Sequence, residues 1–396
     1  MSVITIVVFE GLSRYAFVPL LTGDTSGLQT DLIVFEDADY EVSQLITEIE
    51  SSYSREYRPY TVWKRKPFSG TLVNVDQDGN RRTTNNSLED HALKVWMFGG
   101  STMWGWGAPD SETVPSHFSR IMNEGFGVDS NVVNFGEDAF VSTQELVSLM
   151  RELQQGNRPD VVIFYDGIND AAAAALWPGV KGTHHNLYSI QDKFQRSRAS
   201  MRAAIRSTDT FRLLDLLAGR LMRDSIQIGP VAAASAGDNQ DMALDALNLW
   251  LENYRIVDSL SETYGFTAIF LFQPALGIGD KPMGPLEQQL IEGWKGTSNW
   301  LGTEVHAEMR EIIRESYPGK QILPGVFDIS DVFEQTADPV YLDWAHLSGT
   351  GNLIVAEEIF TIVRNELCAG HPVQASGRAV AQLASACSSQ AKSLGD

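Results

Sequence analysis

A chain of 396 residues, 43% of them hydrophobic, can bury one large core and carry additions around it. Its formal net charge of -21, from 30 basic against 51 acidic residues, argues against partners that need a positive surface, namely nucleic-acid phosphates and anionic lipid. The two cysteines have no Cys-x-x-Cys spacing and no Cys/His cluster, which argues against a zinc site.

In chain order, "MSVITIVVFEGL" opens with an apolar run, Val3 to Phe9, too short to span a bilayer. It reads either as the stub of a clipped signal or membrane anchor, or as a short buried strand or helix. "SREYRPYTVWKRKP" concentrates Arg55, Arg58, Lys64, Arg65 and Lys66 among tyrosines and a tryptophan. That is a local exception in an acidic chain; it reads first as a solvated strand face and second as a binding lip. "TLVNVDQDGNRRTT" predicts a hairpin turning at Asp78-Gly79. Residues 1–90 are therefore expected to form an N-terminal extension packed on a main domain at 91–367.

From Leu93 the pattern changes to apolar runs separated by helical stretches. "LKVWMF", "NVVNF", "DVVIFY", "FTAIFLF" and the weaker "GVFDIS" read as five strands. Runs without alternation, interleaved with helices, predict a parallel sheet covered on both faces, a three-layer α/β/α sandwich. The helices include "TQELVSLMRELQQG", a long stretch reaching Tyr264, one helix across "LEQQLIEGWKGTSNWLGTEVHAEMREIIRESY", and "GNLIVAEEIFTIVRNEL". "AAASAGDNQD" at 232–241 reads as a mobile loop. The tail, 368–396, reads as loosely attached, and its Cys368 and Cys387 read equally as a disulfide, which needs an oxidising compartment, or as two unrelated thiols.

In open parallel sheets ligands bind beyond the carboxyl ends of the strands. The residues there are Gly99, Gly100 and Ser101 in "MFGGSTMWGWG", Gly136 in "NFGEDAF", Gly167 and Asn169 in "DGIND", Gln273, and Asp343 with His346 in "YLDWAHLSGTGN". This is the inventory for acyl transfer. A serine hydroxyl needs a base to become a nucleophile, an imidazole titrates in the right range, and a carboxylate orients the ring. Backbone N–H groups at Ser101 and Gly136 and the amide of Asn169 are candidate oxyanion donors.

The order Gly-Gly-Ser, Gly, Gly-x-Asn-Asp and Asp-x-x-His resembles the four blocks of the SGNH hydrolases, also called GDSL esterases and lipases. The resemblance runs from Leu93 to Leu367, about 70% of the chain. It implies a flavodoxin-like sandwich, with Ser101 as nucleophile, His346 as base and Asp343 as third member of a triad. It also implies an oxyanion hole of Ser101, Gly136 and Asn169. Many members have Asp before the serine, where this chain has Gly100; Gly-Gly-Ser variants resemble bacterial exported or membrane-tethered members.

Taken singly, Ser101 is a helix cap, His346 a structural histidine and Asn169-Asp170 a turn; together and in order they point to a site. No Gly-Lys-Ser/Thr follows the glycines, and Met103 occupies the last position of a G-x-S-x-G elbow, so neither a phosphate loop nor an α/β-hydrolase elbow fits. His184-His185 reads as a surface loop rather than a metal site, and "NNS" at 85–87 matters only in a eukaryotic secretory pathway. Trp104, Trp106 and Trp344 are candidate walls for a sugar ring or acyl chain, with Gln273 a polar contact.

The expected function is hydrolysis of a small acyl ester, acetyl foremost, on a carbohydrate or similar polar alcohol. An O-acyltransferase using the same triad, and a non-catalytic polysaccharide-binding or envelope-assembly protein on the same fold, are the alternatives. The chemistry calls for no cofactor and no metal. The expected partner is a small-molecule or carbohydrate ester, and the expected location is the bacterial envelope or exterior, through an N-terminal tether, with the cytoplasm as the other possibility.

Overall fold

The structure is a computed structural model; it describes residues 33–36, 38–196, 238–295, 297, 300–369 and 378–393. Contacts divide the chain into two units, Met1–Leu28 with Asn186–Ala236, and Gln29–His185 with Gly237–Asp396. The apolar run at 3–9 lies outside the described residues.

The larger unit begins with helix α1 (Val42–Ser51) and four short strands: β1 (Arg55–Arg58), β2 (Val62–Arg65), β3 (Phe68–Ser69) and β4 (Asn74–Val75). β1 pairs antiparallel with β2, and β3 with β4. The turn expected at Asp78-Gly79 is present, with Gly79 at φ 85° and its N–H donated to the Asp76 carbonyl. Its returning arm makes single bridges from Arg81 to Val75 and to Asn134. The basic stretch is not a solvated face: it is the β1–β2 pair, and Arg65 and Trp63 are buried within it.

β5 (Leu93–Gly99) starts the central sheet and leads into the four-residue helix α2 (Ser101–Trp104). There follow α3 (Val114–Arg120), β6 (Ser130–Asn134), α4 (Ser142–Gln154), β7 (Val161–Asp166) and α5 (Ile168–Leu176). In the smaller unit the described helix is α6 (Leu187–Arg196). The larger unit resumes with α7 (Asn239–Tyr264), β8 (Thr267–Phe272), α8 (Pro285–Trp294) and α9 (Trp300–Ser316). It closes with β9 (Gln321–Leu323), β10 (Val326–Asp328), α10 (Gly349–Cys368) and α11 (Arg378–Ser393).

The six-stranded sheet has the order β6-β5-β7-β8-β10-β9. The first five are mutually parallel, as the five apolar runs require, while β9 is an antiparallel edge. Side chains alternate between two cores, as the period of two in a strand dictates. Val95, Met97, Val161, Ile163, Ile269 and Leu271 enter one core with α3 and α10. Trp96, Phe98, Val162, Phe164, Phe270 and Phe272 enter the other with α4, α7 and α9. Across that second face Phe98, Phe164 and Phe270 stack in a ladder, with ring centroids 5.0 and 4.3 Å apart.

Three expectations are corrected here. The single helix predicted after β8 is two, because Lys295 leaves α8 at ψ 132°, at the start of the helix-poor "KGTSN". The loop at 232–241 lies outside the described residues up to 237, and its last three residues form the first turn of α7. The described part of the tail, 368–369 and 378–393, is tied down. Cys368 and Cys387 form a disulfide, Leu383 is buried in the first core, and the Gln382 side chain accepts from Asp129 N–H and donates to its carboxylate. Among the described residues no helix is long and apolar enough to cross a membrane.

Cys387→Ser should reduce unfolding free energy by about 3 kcal/mol, the order expected for a cross-link closing a loop of this size. Denaturant melts of the two proteins check it; coincident midpoints would mean that noncovalent contacts alone hold α11.

Candidate active site

Ser101, Asp343 and His346 lie on one hydrogen-bonded line. β5 ends at Gly99, Gly100 is extended, and Ser101 opens α2, which Gly105 stops in the left-handed conformation at φ 89°. Ser101 Oγ is 2.7 Å from His346 Nε2, and His346 Nδ1 is 2.6 Å from Asp343 Oδ2. The other carboxylate oxygen, Oδ1, accepts the Ala345 and His346 N–H groups, both at 2.8 Å. Asp343 therefore folds its own loop as well as facing the ring. That loop is cinched by Leu342 N–H to His346 O and by a bridge between Tyr341 and Leu347. Burial pushes the Asp343 carboxyl upward, but the His346 ring and these hydrogen bonds outweigh it and hold it below the usual carboxylate range. An ionised Asp343 fixes the proton of His346 on Nδ1 and leaves Nε2 to accept from Ser101 Oγ–H.

Asn169 follows Gly167, whose φ of 122° only glycine tolerates easily, and stands in the first turn of α5. Its amide occupies the space above Gly100: a Cβ built on Gly100 would sit 2.2 Å from Asn169 Nδ2. A side chain at position 100 would therefore have to displace the Asn169 amide. Ser101 N–H, at the first helical position, has no carbonyl four residues behind it to bond within the helix.

Gly136 is a correction. Its N–H is already donated to Asn134 Oδ1 at 2.9 Å, and its missing side chain serves a close approach to the Trp104 backbone. The same loop continues past the nucleophile turn, with Glu137 N–H donated to Gly99 O at 3.0 Å and Phe140 O 3.8 Å from that built Cβ on Gly100. Between them Ala139 adopts φ 56°, and its N–H has no acceptor among the described residues. Sequence reasoning missed Ala139, since alanine carries no compositional mark of a left-handed turn.

The four aromatic and amide candidates divide. Trp106 is half-buried, its ring centroid 4.4 Å from that of His346. Trp344, between Asp343 and His346, stacks on Trp294 at 5.3 Å and an interplanar angle of 11°. Trp104 is a correction: it is fully buried, with the Arg65 and Arg81 guanidiniums 3.8 and 4.2 Å from its ring. Gln273 is also buried; its N–H goes to Asp166 O and its amide to Thr102 Oγ1 at 3.4 Å, so it braces the turn that carries Ser101. His184-His185 lies in a loop, as expected, with both side chains half-buried. His184 packs edge-on to Trp63, and burial, with the neighbouring His184 charge, pushes His185 down to about 4.

Three acids are buried: Glu145 on α4, Asp166 at the end of β7 and Asp170 on α5. Burial is the main cause that raises all three. Asp170 is pushed up to about 6, even though Ser142 donates to it through both Oγ–H, at 2.6 Å, and N–H.

The chain matches no family model and no curated protein. Its fold is similar to solved structures at low identity. An acetyl xylan esterase shares 12% identity at TM-score 0.34, the match covering 68% of this chain and 100% of that one. A lipolytic protein of the G-D-S-L family from Veillonella parvula shares 11% at TM-score 0.34, covering 68% and 98%. A carbohydrate acetylesterase from Sinorhizobium meliloti shares 12% at TM-score 0.35, covering 69% and 99%.

Two outcomes follow from the geometry. Gly100→Ala should displace the Asn169 amide and lower turnover of an activated ester at least tenfold with little change in melting temperature; unaltered turnover would show that the contact does not matter. The raised acids keep protons in the folded state that the unfolded chain gives up, so their contribution is present at low pH and lost as pH rises through about 6 for Asp170. Asp170→Asn keeps an acceptor for Ser142 and removes that titration. Its melting temperature should therefore decline less than the wild type's between pH 5 and pH 7.5.

Proposed function

We propose that the chain is a serine esterase of SGNH type, on a three-layer α/β/α sandwich, that hydrolyses a small acyl ester, acetyl foremost, of a carbohydrate or similar polar alcohol. The observation that carries this reading is the continuous line from Asp343 through His346 to Ser101, at 2.6 and 2.7 Å.

His346 Nε2 takes the proton of Ser101 Oγ as that oxygen bonds to the ester carbonyl carbon, and the carbonyl electron pair moves to oxygen. Ser101 N–H, the Asn169 amide and Ala139 N–H are the donors for this oxyanion, with Ala139 in the role first expected of Gly136. Collapse breaks the bond to the alcohol, which leaves with the proton held on His346, and the acyl group stays on Ser101. Water then repeats the sequence, releasing the acid and restoring the serine. Asp343 stays ionised and stabilises the imidazolium. Trp106 beside His346, and the stacked Trp344 and Trp294, are indole faces of the kind that pack against sugar rings, which supports a carbohydrate substrate.

Fluorophosphonate treatment with mass spectrometry should modify Ser101 alone, and His346→Ala should abolish the labelling. Ser101→Ala should eliminate ester turnover while the fold persists, and Asp343→Asn should reduce kcat by about 10⁴. Full activity in Ser101→Ala would falsify the reading, whereas acyl transfer to an added polyol in place of free acid would redirect it to an O-acyltransferase.

A further inference from the structure

The loop between β6 and α4 is gripped by the β1–β2 pair. Arg65 N–H donates to Glu137 Oε2 at 2.9 Å, and the Arg65 guanidinium pairs with the Asp138 carboxylate. Trp63 Nε1–H donates to the Asp138 carbonyl at 3.0 Å, and the Trp63 ring meets Phe140 edge-on at 5.4 Å. Arg55 adds a second ion pair to Asp138 at 3.1 Å, and Gln144, at the start of α4, donates to Thr61 O at 2.7 Å. The opposite side of the loop is tied to the nucleophile strand through Glu137 N–H to Gly99 O. Residues on both sides of Ala139 are thus anchored to the β1–β2 pair, and Ala139 itself takes the strained φ of 56°. The same guanidinium lies over Trp104, in the helix that Ser101 opens.

A left-handed alanine is disfavoured and persists only where its surroundings impose it. Here the imposing groups come from a segment more than 70 residues upstream of the loop, since the Arg65–Glu137 bond spans 72 residues and the Trp63–Asp138 bond 75. We propose that Trp63 and Arg65 are positioning residues for the ester chemistry: they hold Glu137 and Asp138 so that the Ala139 N–H stays fixed beside Gly99 and Gly100. The proposal rests on the esterase reading above. It makes the N-terminal pair of strands part of the catalytic apparatus, although neither side chain touches substrate.

The test compares wild type, Trp63→Phe, Arg65→Met, Ala139→Gly and the two double variants with Ala139→Gly. The measurements are kcat and KM on p-nitrophenyl acetate, the rate of fluorophosphonate labelling at Ser101, and melting temperature. Trp63→Phe keeps an aromatic ring facing Phe140 but loses the pyrrole half of the indole and its Nε1–H hydrogen bond; kcat and labelling should fall about tenfold with KM nearly constant. Glycine adopts the left-handed turn unaided, so in the Ala139→Gly background the same substitution should cost about threefold or less. A merely structural role would lower melting temperature and active fraction, and glycine at 139 would restore nothing. Arg65→Met should behave as Trp63→Phe with a larger effect; if it does not fold, the Trp63 pair decides alone. Unchanged kcat in Trp63→Phe, or an equal loss in both backgrounds, overturns the positioning role while leaving the esterase reading intact. Folded wild type that neither turns over ester nor takes the label overturns both.

Discussion

The parallel register of β5 against β7 is the constraint on which the site depends. Val95 lies opposite Val161, and the pairing runs in step to Gly99 opposite Tyr165. Both strands therefore end at the same level, and their next residues, Gly100-Ser101 and Gly167-Ile168-Asn169, leave the sheet side by side. The connection from β5 goes to β6 on one side and the chain returns to β7 on the other, so a crevice opens between the two exits. A one-residue slip would turn each strand's side chains to the wrong core and part the Asn169 amide from the glycine beneath it. The two aromatic and aliphatic cores that lock the register are thus as much a condition of the chemistry as the polar groups.

Beneath the nucleophile the protein spends charge where a simpler design would use hydrocarbon. Trp104 is held between Arg65 and Arg81, and these cations are answered by Glu137, Asp138 and Asp110, all buried. Buried ion pairs contribute little net stability because desolvation offsets attraction, yet removing one partner is costly. Cation–π contacts to a desolvated indole add to the cohesion. Arg81 also donates to the carbonyls of Gly105 and Ala108, so the chain leaving α2 is held by directional bonds rather than by packing alone. Stiffness around the serine is what such a network supplies.

The parts read from sequence are those with a local signal. β7 is buried along all six residues and carries the apolar run Val161–Tyr165, whereas β9 has three residues, an exposed Gln321 among them, too few to stand out as a run. Ser101, Asn169, Asp343 and His346 were expected together because they follow successive strands, and a strand's end is visible in sequence. Trp104 and Trp106 differ only by their neighbours in space: Arg65 and Arg81 arrive from elsewhere in the chain to enclose the first, while the second is left beside His346. Gly136 drew attention as a glycine, but the asparagine two residues earlier takes its N–H. The position with the unusual backbone is an alanine, whose conformation is set by Trp63 and Arg65 and not by its own chemistry.

The order of these pieces along the chain has a consequence for synthesis. Ser101 and the β1–β2 pair leave the ribosome first among these pieces; the loop with Asp343 and His346 is made more than 200 residues later and passes at once into α10, capped by Ser348. Until that helix covers its face of the sheet, and its last residue joins Cys387, Ser101 has neither His346 beside it nor a complete core. Domains consolidate as their sequence becomes available, so the hydrogen-bonded line at Ser101 assembles only after the segment through α10 has been made.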